Sequence, residues 1–131
     1  DVDAIYMHSD CVYSESTVQT LKEMDQYAPR GEDGHIFIAA IDGCSANLSL
    51  IREGSTDQAS GQPIPDFGSM VVEYIQKKLN GEAIEPGTVV KDGALWSPAQ
   101  LVMTDVGFQL YLSTTDISIE NIDNPGLWGN Q

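Results

Sequence analysis

The chain has 131 residues, the length of one ordinary domain, and its apolar fraction of 41% is enough for a packed core and too high for a disordered chain. Its formal net charge of −14, with six Lys and Arg against 20 Asp and Glu, argues against nucleic acid as a partner, because phosphates attract cations. No stretch approaches the roughly 18 uninterrupted apolar residues of a membrane span. The opening DVDAIYMHSD lacks the basic start and apolar body of a signal peptide and reads as a strand already under way. An earlier segment of a longer polypeptide is therefore expected before it.

Residues 4–8, AIYMH, form a short apolar run of strand formers that ends in the polar pair Ser9-Asp10. In STVQTLKEMDQYA, Val18, Leu21, Met24 and Ala28 recur at near-helical spacing, and Pro29, Gly31 and Gly34 close that helix. HIFIAAI then runs apolar without alternation, as a parallel strand covered on both faces by helices would. After Asp42-Gly43, Ser45 is a suitable N-cap for ANLSLIRE, with Gly54 as its stop.

The polar segment STDQASGQ leads to Pro63 and Pro65 and to the clearest helix of the chain. Asp66 suits its cap, Phe67, Val71, Tyr74, Ile75 and Leu79 form its apolar stripe, and Gly81 ends it. Glu73 and Lys77 are spaced for an i,i+4 ion pair. Beyond residue 84 the pattern turns strand-like in TVVKDGALWS and LVMTDVGFQLYLSTT, with TDVG suited to a hairpin turn. The tail SIENIDNPGLWGNQ starts like a helix cap and ends in Pro and Gly. Alternating strands and helices predict an α/β fold with a largely parallel sheet in αβα layers.

In open parallel sheets, ligands bind beyond the carboxyl ends of the strands, where loops and helix N-termini converge. His8-Ser9-Asp10, Asp42-Gly43 and Gln62 fall at such ends. A rigid, partly desolvated carboxylate there can accept paired hydrogen bonds from neighbouring hydroxyls, as a sugar supplies. The competing reading is that Asp10 and Asp42 only cap the helices that follow them. Trp96 and Trp128 are either stacking platforms for a sugar ring or packing anchors.

Cys11 and Cys44 form neither a zinc set nor a C-x-x-C pair; parallel neighbouring strands bring them close, which leaves a disulfide and two buried thiols both open. No nucleophile elbow, phosphate loop or zinc-protease motif is present. A phospho-receiver site would need a lysine after a later strand, whereas Arg52, Lys77 and Lys78 all lie on predicted helices.

Taken together, DVDAIYMHSD, IFIAAIDGCSANLSLIREG and GQPIPDFGSMVVEYIQKKLNGE resemble the C-terminal half of type I solute-binding proteins, the extracytoplasmic sugar receptors of ABC importers. The resemblance covers residues 1–82, and GALWSPA and ISIENIDNPGLWGN are similar to the closing segments of one sugar-binding branch. It implies two α/β lobes joined by crossover strands, in the type I periplasmic-binding-protein fold, with a monosaccharide-like ligand clamped between them.

On this resemblance Asp42 grips sugar hydroxyls and Gln62 is a hinge glutamine that reaches the ligand. Ser9 stands where the family usually has asparagine, and Asp10 matches a generally structural aspartate; with His8 these complete the expected ligand-binding set. Residues 1–62 would belong to the C-terminal lobe, residues 63–90 would cross to the other lobe, and residues 91–131 would form a β-rich segment and tail.

The implied partners are a sugar, a membrane permease and the missing N-terminal lobe, in the periplasm or outside the cell with or without a lipid anchor. No enzyme activity, cofactor or metal is implied. Alone, the chain would hold one wall of the cleft and bind sugar weakly or not at all. The effector domain of sugar-responsive (LacI-type) repressors shares the fold and is the alternative.

Overall fold

The alternation over residues 4–61 folds as a β–α–β–α–β run in the computed structural model, which describes residues 2–131. Its elements are β1 (Ala4–Met7), α1 (Asp10–Glu23), β2 (Phe37–Asp42), α2 (Ser45–Glu53) and β3 (Gln58–Gly61). Both strand pairs are parallel, with Met7 beside Ala40 and Asp42 beside Gly61, so the three strands end on one edge of the sheet. The fold is α/β with a mostly parallel sheet.

Helix α1 begins at Asp10, six residues before the expected start at Ser16. Its buried stripe is Asp10, Ser14, Val18 and Leu21, so the first two turns turn polar side chains inward and give no apolar signal. Helix α2 starts at Ser45, with Cys44 rather than Ser45 in the cap position, and ends on Gly54 in the left-handed conformation.

The expectation that β2 is covered on both faces is corrected by its burial. Ile38 and Ala40 are buried with Met7 and Leu21 under the helices, while Phe37 is 44% exposed and its neighbour Tyr6 on β1 is 66% exposed. In the strand order β1-β2-β3, crossovers of the usual right hand put consecutive helices on one face, and α1 and α2 do pack together. Among the described residues this sheet therefore carries one helical layer, not the two of an αβα stack.

Residues Pro63–Thr114 form a second compact unit. Helix α3 (Ile64–Leu79) forms where the stripe predicts a helix, but Phe67, Val71, Ile75 and Leu79 of that stripe are exposed and Met70 is its buried residue; Pro63 holds the cap position and Asp66 lies in the first turn. Lys77 and Glu73 pair at 2.6 Å, as their spacing predicts. Strands β4 (Gly87–Val89), β5 (Ala99–Thr104) and β6 (Gly107–Tyr111) make an antiparallel sheet, and the hairpin turns between Thr104 and Gly107. Trp96 is buried here with Met70 and Ala99, so it is a packing residue. An open apolar groove of about 590 Å³ lies within this unit, lined by Phe67, Val71, Ile75, Leu101 and Phe108 among others.

From Thr115 the chain returns to the first unit, which comprises Asp1–Gln62 and Thr115–Gln131. Residues 91–131 are therefore not one segment, because the division falls again after Thr114. Strand β7 (Thr115–Ile117) pairs antiparallel with β3 and completes the sheet order β1-β2-β3-β7. Ile117, Ile122 and Leu127 bury their side chains, and a single 3-10 turn at Trp128–Asn130 closes the chain. No helix among the described residues is long and apolar enough to cross a membrane.

Candidate functional site

The loops after β1, β2 and β3 meet at the carboxyl edge of the parallel sheet, and the structure gives their two aspartates opposite roles. Asp10, 2% exposed, accepts hydrogen bonds from the backbone N–H of Gly43 (2.7 Å) and Cys44 (3.2 Å) and from Asn47 Nδ2 (3.1 Å). Its carboxylate reaches across from the first turn of α1 to cap the N-terminus of α2, where anionic oxygens meet unpaired amides and the positive end of the helix dipole. Its place in the ligand-binding set is corrected: every contact it makes is internal.

Asn47 completes this framework and carries no sequence signal of its own. Fully buried on α2, it donates to Asp10 and accepts from Thr56 Oγ1 at 2.9 Å, so α1, α2 and the approach to β3 share one polar chain.

Asp42 is the other kind of carboxylate. It is half-buried, and among the described residues its side chain accepts one hydrogen bond, from Ser9 Oγ at 2.6 Å. Ser9 thus contacts Asp42 instead of acting as a helix cap, since it makes no side-chain cap bond. Two of a carboxylate's roughly four acceptor positions suffice for a paired hydroxyl contact, and Asp42 has that capacity to spare.

The backbone of Asp42 is strained, with φ at 111°, outside the regions that L-residues favour. Such a conformation costs of order 1–3 kcal/mol and is concentrated at functional positions. Surrounding contacts hold it. The Asp42 carbonyl accepts from Gln62 N at 3.0 Å and from Trp128 Nε1 at 2.7 Å. Gly43 follows at φ 81°, and a Cβ there would come within 2.6 Å of Ile117 Cδ1. Only glycine fits that step, which explains the Asp-Gly pair at the end of the buried strand.

Gln62 is half-buried at the end of β3, joined to Asp42 through the backbone. His8 is exposed, and its ring packs against Tyr13 with centroids 5.0 Å apart. The sequence did not single out Tyr13; it sits one turn into a helix whose early start was hidden. Trp128 serves as an anchor, its indole N–H spent on the Asp42 carbonyl.

Cys11 and Cys44 are free thiols, so the disulfide left open by the sequence is not formed here. Their sulfurs and the Asp10 carboxylate lie within 4.8 Å of one another, and Cys11 Sγ donates to Asp10 Oδ1 at 3.3 Å. Although Cys11 as a residue is exposed, desolvation at its sulfur pushes the thiol well above its ordinary value, with bonds to Cys44 and Asp10 adding. Desolvation also raises Cys44, and Asp10 adds to it.

His35 lies away from this edge. Its Nδ1 faces the Ala28 carbonyl at 2.8 Å and its Nε2 faces Asp57 at 3.0 Å, in a network with Arg30 that ties the loop after α1 to the start of β3. It is a framework residue. A scan against protein-family models finds no match, and a search of curated proteins finds no similar sequence.

Proposed function

We propose that this protein is part of an extracytoplasmic sugar receptor of the type I solute-binding class, which captures a monosaccharide-like ligand and delivers it to an ABC permease. The observation that carries the reading is Asp42: a half-buried carboxylate at a strained backbone position on the carboxyl edge of a parallel sheet, with one internal hydrogen bond and acceptor capacity left over. In this reading Asp42 accepts two ligand hydroxyls. Ser9 orients the carboxylate, Gln62 supplies an amide, and the His8–Tyr13 pair offers an aromatic wall.

The uncovered sheet face carrying Tyr6 and Phe37, and the apolar groove of the second unit, suit surfaces that the rest of a two-lobed receptor covers. Closure of that receptor around the sugar would shield Asp42 from water and strengthen each hydroxyl contact. Serine at position 9, in place of the family's asparagine, points to a ligand with different hydroxyl geometry at that corner.

Titration calorimetry of the full natural polypeptide against neutral aldopentoses, aldohexoses and their deoxy and amino forms tests the proposal. One-to-one binding of a neutral sugar is expected. A panel with no binder, or incorporation of phosphate at an aspartate on exposure to acetyl phosphate, would overturn it.

A further inference from the structure

We propose that Cys11, Cys44 and Asp10 form a binding site for a thiophilic divalent cation of the zinc class. Cys11 lies in the first turn of α1 and Cys44 holds the N-cap position of α2, so the pair brings together the starts of the two helices that follow β1 and β2. Two thiols and a carboxylate converge there, all three donor atoms within 4.8 Å of one another.

A tetrahedral ion with metal–sulfur bonds of about 2.3 Å and a metal–oxygen bond of about 2.1 Å sets its donors roughly 3.8 Å apart for sulfur–sulfur and roughly 3.6 Å for sulfur–oxygen. The sulfur–oxygen contact between Cys11 and Asp10 already stands at 3.3 Å. With every donor pair within 4.8 Å, none has to change its separation by more than about 1.2 Å to reach that geometry, a movement within the reach of side-chain torsions.

The donor chemistry agrees. Asp10 Oδ2 is filled by Gly43 N and Asn47 Nδ2, whereas Oδ1 holds Cys44 N and the thiol proton of Cys11. Loss of that proton frees a lone pair on Oδ1 on the side facing the sulfurs. The amides around Asp10 act as its outer shell and fix its orientation, as partners of metal-bound carboxylates do. Each sulfur lies at a helix N-terminus, whose positive end offsets part of the desolvation that holds both groups as thiols until a dication supplies the opposing charge. Cys11 is exposed, which gives the ion an entry path and leaves a fourth position for water. Thiolate donors select zinc-class ions over magnesium or calcium.

Binding releases two protons, one from each thiol, and changes no oxidation state: the dication replaces them between two thiolates and one carboxylate. Cadmium titration of the protein, held reduced with a phosphine, reads this directly through ultraviolet thiolate-to-metal absorption and proton release. The expected result is one cadmium per chain, two protons released and competition by zinc. Cys11→Ser, at an exposed position, should lose the absorption and at least tenfold in affinity while retaining its circular dichroism spectrum. Equal uptake by Cys11→Ser would overturn the site, as would uptake without thiolate absorption. Alkylation and mass measurement showing a Cys11–Cys44 disulfide in protein prepared without reductant would overturn it as well.

Discussion

Replacing Asp10 with alanine removes the acceptor for three buried N–H donors at once, Gly43 N–H, Cys44 N–H and the Asn47 amide, and for the Cys11 thiol. Each buried donor left without a partner costs about 1–3 kcal/mol. Water entering the space vacated near exposed Cys11 recovers part of that, which leaves an expected loss of about 3–5 kcal/mol. Domains of this size hold about 5–15 kcal/mol in total, so the variant should lose a large part of its stability. In urea, with a slope of about 2 kcal/mol per molar, the midpoint for the first unit should fall by about 2 M. Asp10→Asn keeps the shape but turns an NH2 group toward N–H donors, and should fall between wild type and Asp10→Ala. A loss under about 1 kcal/mol for Asp10→Ala would refute the argument that this carboxylate holds α1 to α2.

Asp57 is buried and binds Arg30 at 3.1 Å, His35 and the Ile38 N–H at 2.7 Å; Asp57→Ala should cost about 2–4 kcal/mol in urea unfolding, since it leaves the buried Ile38 amide without its acceptor and takes the counter-charge from Arg30, which keeps its bonds to the Ile51 and Thr56 carbonyls. Gly129 packs so closely on the Gly43 carbonyl and Leu48 that an added Cβ forces the tail outward; Gly129→Ala should cost about 1–3 kcal/mol and raise Trp128 exposure, read by fluorescence quenching. A Gly129→Ala protein with unchanged stability and quenching would show that the tail is not clamped at the Asp42 loop.

Sequence reading located the strand-end residues but not how they divide their work. Asp10 and Asp42 look alike as carboxylates after apolar strands, and only the partners separate them: backbone amides from a neighbouring helix for one, a lone hydroxyl for the other. The early turns of α1 stayed hidden because their inward face is Asp10 and Ser14, polar residues whose burial depends on contacts far along the chain. Strand β3, QASG, has no apolar run because its space is filled from outside, by Ile117 against Gly61. The return of the tail was likewise invisible, since β7 is three residues long and its pairing to β3 spans more than fifty positions. Helix α3, by contrast, was legible because a single amphipathic stripe and its flanking prolines specify it locally.

The most direct measurement places folding and sugar binding side by side in Asp42→Ala. Among the described residues the half-exposed carboxylate makes one internal bond, so the variant should stay within about 1 kcal/mol of wild type in urea, yet, on the proposed function, lose at least tenfold in affinity by calorimetry for the sugar that the panel identifies. Sugar affinity within twofold of wild type, or an unfolding loss as large as that of Asp10→Ala, would contradict the assignment of Asp42 to the ligand.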